Sequence, residues 1–270
     1  MILVNGKVQQ QLHTDDRAIQ FGDGLFETIA FKNNQLEYFT YHLDRLQRGC
    51  ERLSIEMPTR DIIQSEIQQM TDTLSTSDAV IKVIVTRGKS SRGYQPLSGV
   101  QPTRIIKATP WPEYPKKNAL EGIKLAVSSL VLSEQPLLAG IKHLNRLEQV
   151  LIAIERQQHS PIIDDMLVCD QHQNIIECQS SNIFIVDNEV LKTPNLQRCG
   201  IEGIMRQVIL ETAAELSIKT DILDIPLCTI NHASEIFICN SLFGIWPVKQ
   251  INQWLFQPGA ITRQLQRALT

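Results

Sequence analysis

Three prolines stand within six residues, at Pro110, Pro112 and Pro115. Proline fixes φ and lacks the N–H that helices and sheets need, so this stretch disfavours regular structure. A chain of 270 residues is long enough for one large domain or two modest ones. We therefore predict a linker at residues 109–118, between a small N-terminal domain (1–108) and a larger domain (119–270).

Both predicted domains mix strands and helices. In the first, extended runs at 1–4, 26–31, 35–39, 79–86 and 103–108 accompany helical patterns at 42–55 and 62–74. In the second, extended runs at 123–131, 165–169, 182–186, 190–193 and 235–239 accompany helical patterns at 144–158, 203–216 and 260–268. The sequence predicts an α+β protein whose second domain is rich in strands.

Composition narrows the kinds of partner. The formal charge is −3 and the basic residues are scattered, which disfavours a nucleic-acid or anionic-membrane binder. The apolar runs are too short to span a bilayer, and the six histidines lack metal-ligand spacing. The six cysteines form no CxxC pair, as expected of reduced thiols in a cytoplasm. We expect a cytoplasmic protein, without a metal, that acts on a small neutral or anionic molecule.

Lys142 lies ahead of a helical pattern. Leu144, Leu147, Leu151 and Ile154 recur at helical spacing, which predicts a helix packed on a core with Lys142 just before its first turn. An amine held away from water loses some affinity for protons and becomes nucleophilic, so Lys142 is a candidate to form an imine. The alternative is an ordinary surface lysine.

Glu177 ends a short apolar run and precedes small hydroxyl residues. Alone, it reads as a surface glutamate in a loop. If Lys142 forms an imine with pyridoxal phosphate, that cofactor needs a carboxylate facing its ring nitrogen. The two residues therefore support each other.

A phosphate needs fixed donors, and two places offer them. Arg45 lies on a helical stripe, and its planar fork suits a phosphate, although an ion pair with Asp44 or Glu51 is the alternative. The glycine turn at 200–203 leads into a helix, whose first N–H groups have no partner within the helix.

Lys142, Glu177, Arg45, GIMR (203–206) and EIFICNS (235–241) stand in the order seen in fold-type IV pyridoxal-phosphate enzymes. This family includes D-amino-acid and branched-chain aminotransferases and aminodeoxychorismate lyases. The sequence resembles the lyases most through DRAIQFGDGLF (16–26), TRG (86–88) with RGY (92–94), and LAGIKHLNRLEQ (138–149). The resemblance implies a small N-terminal α/β sandwich and a larger β-rich domain that binds pyridoxal phosphate.

The resemblance also implies roles for residues. Lys142 would hold the cofactor covalently and act as the catalytic base, and Glu177 would pair with its ring nitrogen. The phosphate would be held by a group of side-chain and backbone donors from three segments: Arg45, the N–H groups of Ile204 and Met205, and Asn240 or Ser241. Aminotransferase relatives often carry threonine where Met205 stands, so only its backbone N–H would contribute.

Three further residues concern the substrate. Arg92 and Tyr94 lie on a loop that, in D-amino-acid aminotransferases, crosses a dimer interface to the substrate carboxylate. Phe26 stands where those aminotransferases have a tyrosine that helps to hold this carboxylate. The loss of that tyrosine argues against an amino-acid substrate. The Arg92 loop implies an anionic substrate and a homodimer with the active site near the interface.

The implied reaction is β-elimination of 4-amino-4-deoxychorismate to 4-aminobenzoate and pyruvate, in folate biosynthesis. An aminotransferase acting on D- or branched-chain amino acids is the alternative on the same fold. A non-catalytic binding protein would keep Lys142 and Glu177 as structural residues. A hydrolase using Ser180 or Ser181 is disfavoured because the sequence has no nucleophile elbow.

Overall fold

The computed structural model describes residues 1–90, 92–159 and 161–269, and they divide into two compact units. The first unit contains residues 1–112 together with 141–145, and the second contains residues 113–140 together with those from 146 onward. Regular structure enters both ends of the predicted linker, leaving residues 111–115 irregular. The segment carrying Lys142 groups with the first unit, which differs from the predicted second domain of 119–270.

The first unit is built on a six-stranded sheet. Its strands are β1 (Ile2–Val4), β2 (Lys7–Val8), β3 (Gly24–Lys32), β4 (Gln35–Leu36), β5 (Ala79–Thr86) and β6 (Thr103–Pro110). They lie in the order β2-β1-β6-β5-β3-β4, and each neighbouring pair is antiparallel. The β-branched and aromatic residues of β3 and β5 pair along nearly their whole lengths. These two strands form the rigid centre of the unit.

Three helices accompany this sheet: α1 (Arg17–Phe21), α2 (Phe39–Leu53) and α3 (Arg60–Thr71). Helix α2 contacts β3 and α3 contacts β6. Their apolar stripes are buried, as at Leu46 and Ile63, because the inward residues of the sheet, such as Ile29 and Ile81, need cover from water. The side chain of Thr59 caps α3 by accepting the N–H of Ile62 at 3.4 Å.

The second unit contains a ten-stranded mixed sheet. Its strands are β7 (Ile123–Leu132), β8 (Asp165–Asp170), β9 (Asn174–Cys178), β10 (Asn182–Asp187), β11 (Val190–Pro194), β12 (Thr220–Leu223), β13 (Ile225–Pro226), β14 (Glu235–Asn240), β15 (Gly244–Ile251) and β16 (Trp254–Leu255). The order is β12-β11-β10-β14-β15-β7-β8-β9-β13, with β16 paired to β15. Strand β7 runs parallel to both β8 and β15.

The helices of the second unit are α4 (Lys116–Glu121), α5 (Leu147–Gln158), α6 (Ile204–Glu215) and α7 (Ala260–Ala268), with a 3-10 helix at Leu227–His232. Alternate residues of β8 enter different apolar clusters: Leu167 packs with Ile183, whereas Val168 packs with Ile152 of α5. Strand β8 is buried throughout because apolar side chains cover both faces of the sheet. The predicted α+β class is confirmed in both units.

Helix α5 corrects one prediction about the neighbourhood of Lys142. The helix begins at Leu147, five residues after Lys142, and its apolar stripe does not pack on a core. Leu147 is 78 % exposed, Leu151 53 % and Ile154 45 %, whereas Ile152 on the opposite side is buried. The stripe is therefore an exposed apolar surface.

No helix in the described ranges is long and apolar enough to cross a membrane.

Candidate active site

Lys142 is held against strand β3 by backbone hydrogen bonds. The N–H of Phe26 donates to the carbonyl of Lys142 at 2.9 Å, and the N–H of Leu144 donates to the carbonyl of Gly24 at 3.0 Å. A Cβ on Gly24 would lie 2.7 Å from the backbone oxygen of Val85 and 2.8 Å from Cδ1 of Leu144, so glycine is needed for this close approach. The backbone on both sides of Lys142 is thus fixed by the sheet rather than by helix α5.

The amine of Lys142 lies over an aromatic ring. Its Nζ is 4.6 Å from the centroid of the Phe26 ring, and Nζ of Lys82 is 4.8 Å from the same centroid. Both distances are within the range of cation–π attraction. Phe26 was predicted from the sequence, whereas Lys82 was not, although a lysine inside the apolar run of central strand β5 is a signal.

Arg45 is paired with a carboxylate from another element. Its Nε and Nη2 donate to the two carboxylate oxygens of Glu27 at 2.8 and 2.5 Å. The observed carboxylate partner is thus Glu27 of β3, whereas Asp44 of α2 accepts from Arg60 at 2.6 Å. Glu27 was missed, although a charged residue at an inward position of β3 is a signal for a buried partner.

His42 completes this buried cluster. Its Nδ1 lies 2.6 Å from Oε2 of Glu27, and its side chain has no exposed surface. Burial raises the pKa of Glu27, but the charge and hydrogen bonds of Arg45 and then His42 outweigh it and lower this pKa to about 2. Burial lowers the pKa of His42, which the nearby charges of Arg45 and Lys142 lower further, against the opposing effect of Glu27.

The segment containing Arg92 and Tyr94 belongs to the loop between β5 and β6. Arg92 is exposed, and Tyr94 is 85 % exposed. The ring of Tyr94 nevertheless packs on Phe21, with centroids 5.3 Å apart. The loop is therefore attached to the body of the first unit next to α1.

In the second unit, Glu177 lies in strand β9 and is buried. Its Oε2 accepts the N–H of Ile201 at 2.8 Å. The turn containing Ile201 is joined to the segment that leads toward Lys142, because the N–H of Gly140 donates to Gly200 at 2.9 Å and Glu202 donates back to Gly140 at 3.1 Å. Burial lowers the pKa of Arg146, while the charge of Glu177 opposes this shift.

Helix α6 begins at Ile204 with an N-cap that offers no side chain. Gly203 occupies that position, and a Cβ there would collide with Oδ1 of Asn182, whose Nδ2 donates to the carbonyl of Ile201 at 2.8 Å. Ile204 and Met205 are both buried. Because Gly203 cannot cap the first turn, the N–H groups there keep the partial positive charge that attracts anions.

Asn240 and Ser241 lie at the turn between β14 and β15. Oδ1 of Asn240 accepts the N–H groups of Leu242 and Phe243 at 2.9 and 3.0 Å, and its Nδ2 donates to Ser180 at 3.2 Å. The Asn240 side chain therefore holds the turn itself. Of the two predicted phosphate residues here, Ser241 keeps a half-buried hydroxyl beside this turn.

Comparison with known sequences identifies the family of this chain. The family described as amino-transferase class IV matches residues 24–251. The chain belongs to the class IV aminotransferase family. This match includes Lys142, Glu177 and the beginning of α6, and the fold-type IV architecture predicted from the sequence is confirmed.

Three relatives illustrate the range of this class IV family. The chain is 35 % identical to an aminodeoxychorismate lyase of Vibrio harveyi, over 98 % of each chain. It is similar to the crystal structure of 4-amino-4-deoxychorismate lyase from Pseudomonas aeruginosa, with a TM-score of 0.95 and 39 % identity over 100 % of this chain and 98 % of the other. A branched-chain amino acid aminotransferase from Escherichia coli shares the fold at a TM-score of 0.88 and 22 % identity, over 99 % and 92 % of the chains.

Class IV enzymes use pyridoxal phosphate, and the donor groups of this chain fit that cofactor. The cofactor needs an amine for its aldehyde, an anion for its ring nitrogen and donors for its phosphate. Lys142 supplies an amine, Glu177 a buried carboxylate and α6 an uncapped first turn. Hydrogen bonds fix the backbone of Lys142 and the carboxylate of Glu177.

Proposed function

We propose that this class IV enzyme is a carbon–oxygen lyase that converts 4-amino-4-deoxychorismate to 4-aminobenzoate and pyruvate in folate biosynthesis. The observation that carries the proposal is the placement of Lys142, whose backbone is clamped to β3 and whose amine lies on Phe26. The full-length similarity to lyases from Vibrio harveyi and Pseudomonas aeruginosa supports the choice of reaction.

Lys142 would move the proton in this reaction. When bound, pyridoxal phosphate withdraws electrons from the ring carbon that carries the substrate amine. The amine of Lys142 takes the proton from that carbon, and its ammonium form can return one to the departing enolpyruvyl oxygen. A proton donor fixed by the sheet needs little reorganisation between these two transfers.

The reaction needs no second substrate. Loss of one ring proton and of the enolpyruvyl oxygen from the adjacent carbon makes the ring aromatic, and the released enol becomes pyruvate. The atoms of 4-aminobenzoate and pyruvate together equal those of the substrate. A lyase therefore works without a keto acid, whereas an aminotransferase needs one to complete its cycle.

The remaining residues would bind and orient. We assign Glu177 to the ring nitrogen, and Arg45 with the backbone N–H groups of Ile204 and Met205 to the phosphate. Ser241 is favoured over Asn240 as the further phosphate contact, because the Asn240 side chain already bonds Leu242, Phe243 and Ser180. Arg92 and Tyr94 would meet a carboxylate of the substrate, with Phe26 beneath the reacting amine.

We further propose that the enzyme is a cytoplasmic homodimer. The homodimer is supported by an exposed apolar surface on helix α5. We name this surface the α5 patch, and it consists of Leu147, Val150, Leu151 and Ile154. A surface helix of a monomer normally presents polar residues to water, so a contiguous apolar face is typical of a subunit contact.

The test is an assay with aminodeoxychorismate in the absence of any keto acid. We expect 4-aminobenzoate release by the wild type, and a loss of at least about a thousand-fold in Lys142→Ala because the first proton transfer loses its base and the second loses its proton donor. Lys107→Ala is the matched control, since Lys107 is an exposed lysine of β6, in the sheet to which the backbone of Lys142 is bonded. Retained activity in Lys142→Ala would exclude the mechanism.

A second measurement separates the lyase from an aminotransferase. The loaded enzyme is mixed with D-alanine or leucine, and the cofactor is analysed for conversion to pyridoxamine phosphate. A lyase gives negligible conversion, whereas rapid conversion combined with no release of 4-aminobenzoate would establish the aminotransferase alternative. Reduction with borohydride and mass spectrometry then checks that the cofactor is attached at Lys142, independently of turnover.

A further inference from the structure

Arg17 holds the loop that carries Arg92 by two backbone carbonyls. Its Nη1 donates to the carbonyl of Gly93 at 3.0 Å and its Nη2 donates to the carbonyl of Tyr94 at 2.8 Å. Arg17 is 4 % exposed although the loop residue that it grips, Tyr94, is 85 % exposed. A buried cation is thus aimed at the turn that directly follows Arg92.

The guanidinium of Arg17 is itself fixed from two further directions. Its Nε donates to Oδ2 of Asp23 at 2.7 Å, and its Cζ lies 4.7 Å from the centroid of the Phe21 ring. Tyr94 packs on that same ring. The planar fork of arginine allows both carbonyl bonds at once while Nε keeps its carboxylate.

Arg87 offers a natural comparison because it shares Asp23 but grips a different segment. It donates to Asp23 through Nε at 2.7 Å, and its other donors bond the carbonyls of Leu53 and Ser54 at the end of α2. Burial, the largest single influence, acts to raise the pKa of Asp23, but the hydrogen bonds and charges of Arg87 and Arg17 together lower it. Arg87 therefore stabilises the same centre without holding the Arg92 loop.

We propose that Arg17 is a positioning residue that sets the location of Arg92 for an anionic substrate. The inference rests on the proposed function, in which Arg92 meets a substrate carboxylate. Gly93 adopts a φ of +104°, a conformation that costs a glycine little and leaves its carbonyl free to turn toward other partners. Without the two bonds from Arg17, this turn loses its charged anchor, and the Arg92 side chain samples more positions.

The expected kinetic effect is on KM more than on kcat, because Arg92 would bind substrate and transfers no proton. We expect Arg17→Gln to raise KM for aminodeoxychorismate about ten-fold while kcat changes less than about two-fold. Arg17→Lys keeps the charge beside Asp23 but replaces the planar guanidinium with one ammonium group. Its KM should therefore lie between those of the wild type and Arg17→Gln. This second variant also guards against misfolding of Arg17→Gln.

Arg87→Gln is the matched control, since it removes an equal charge from the same carboxylate. We expect it to lower thermal stability and to leave KM within about two-fold of the wild type. A rise in KM that is equal in Arg17→Gln and Arg87→Gln would mean that only local charge or stability matters, and this would overturn the proposal. A wild-type KM in Arg17→Gln would overturn it as well.

Limited proteolysis measures the mobility of the Arg92 loop without any substrate. Trypsin cleaves after arginine, and the Arg92–Gly93 bond lies directly before the carbonyls that Arg17 holds. Cleavage at this bond, identified by mass spectrometry, is expected to be about ten-fold faster in Arg17→Gln and unchanged in Arg87→Gln. Equal cleavage rates in all three proteins would overturn the proposed anchor.

The two readouts separate this inference from the function on which it rests. If the wild type releases no 4-aminobenzoate, the proposed function fails and the substrate role of Arg92 falls with it, whatever the proteolysis shows. If the wild type is active and Arg17→Gln is cleaved faster with an unchanged KM, the anchor exists but does not position Arg92, and the inference alone fails.

Discussion

Glu27 of strand β3 and Arg45 of helix α2 form a two-point ion pair that is closed off from water. The two hydrogen bonds are 2.8 and 2.5 Å long, and the side chains are 1 % and 5 % exposed. Removing both charges from water is costly, and their attraction offsets that cost only while the pair stays intact. The strand thereby fixes the orientation of an arginine that we assign to the cofactor phosphate.

Replacing Glu27 by glutamine should therefore be strongly destabilising. Glu27→Gln leaves the Arg45 charge buried without its counter-ion, and we expect the free energy of unfolding to fall by roughly 3–5 kcal/mol. Denaturant unfolding measures this change. Glu51→Gln removes a carboxylate from the exposed side of α2 and should cost less than about 1 kcal/mol. Similar losses in both variants would contradict the special role of the buried pair.

The Glu27–Arg45 pair should make the stability of the folded chain fall at low pH. The pKa of Glu27 is lowered from 4.5 to about 2 in the folded chain, so the stability that it contributes is fully present above about pH 4.5 and is lost as the pH falls through about 2. The wild type should therefore lose more stability than Glu27→Gln between about pH 4 and about pH 2, a difference that unfolding curves at those two values measure.

Lys82 should contribute to the binding of an anionic substrate. Its Nζ lies over the ring of Phe26, as does Nζ of Lys142, so the amine that we assign to the reaction shares this ring with a second cation. Lys82→Met keeps most of the chain length and removes the charge, and we expect KM for aminodeoxychorismate to rise about ten-fold. The matched control is Lys107→Met, because Lys107 is the exposed partner of Lys82 on the adjacent strand. An unchanged KM in Lys82→Met would refute this contribution.

The sequence predicts five strands in each unit, and all ten are found, because their patterns are local. It does not predict β2 of the first unit or five strands of the second, which are β9, β12, β13, β15 and β16. The β-branched run of β5 depends on residues only a few positions apart, and it is confirmed. Contacts between side chains on different elements are harder to predict, because they depend on tertiary packing. Arg45 was expected to pair within α2 or with a phosphate, but its partner Glu27 lies on a strand that only tertiary packing brings to it.

The surroundings of the apolar stripe on α5 could not be predicted from the sequence either. Helical spacing of leucines reports an apolar face, but it does not say what covers that face. Here the helix is short and Ile152 alone among its apolar residues is buried, so the stripe of Leu147, Leu151 and Ile154 is left in water. The position of Lys142 depends instead on hydrogen bonds to β3, for which the sequence carries no local signal.

A charge in the α5 patch should therefore separate the proposed dimer. Leu151 is 53 % exposed near the centre of the patch, and burying a glutamate at a subunit contact is unfavourable. We expect the wild type to sediment as a dimer and Leu151→Glu to sediment as a monomer. Leu255→Glu, at an exposed leucine of β16 outside the patch, should remain dimeric. A monomeric wild type, or a dimeric Leu151→Glu variant, would argue against this interface.

Asp165 should make the stability of the second unit depend on pH in the opposite sense to Glu27. Burial raises its pKa from 3.8 to about 6, although the N–H of Met166 at 2.7 Å and the hydroxyl of Ser181 at 3.1 Å oppose this shift. Because the folded chain holds this proton more tightly than the unfolded chain, stability that is present below about pH 4 is lost as the pH rises through about 6.

Asp165→Asn removes the ionisation and retains an oxygen that can accept the Met166 N–H. We expect the variant to be more stable than the wild type at about pH 8, by on the order of 1–3 kcal/mol, with little or no gain at about pH 4. Denaturant unfolding at both values measures the difference. Asp164→Asn is the matched control, since Asp164 is the exposed neighbouring carboxylate and should show no such gain at the higher pH. A stabilisation of Asp165→Asn that is equal at both pH values would rule out ionisation as its cause, because a neutral carboxyl and an amide differ little in their cost of burial.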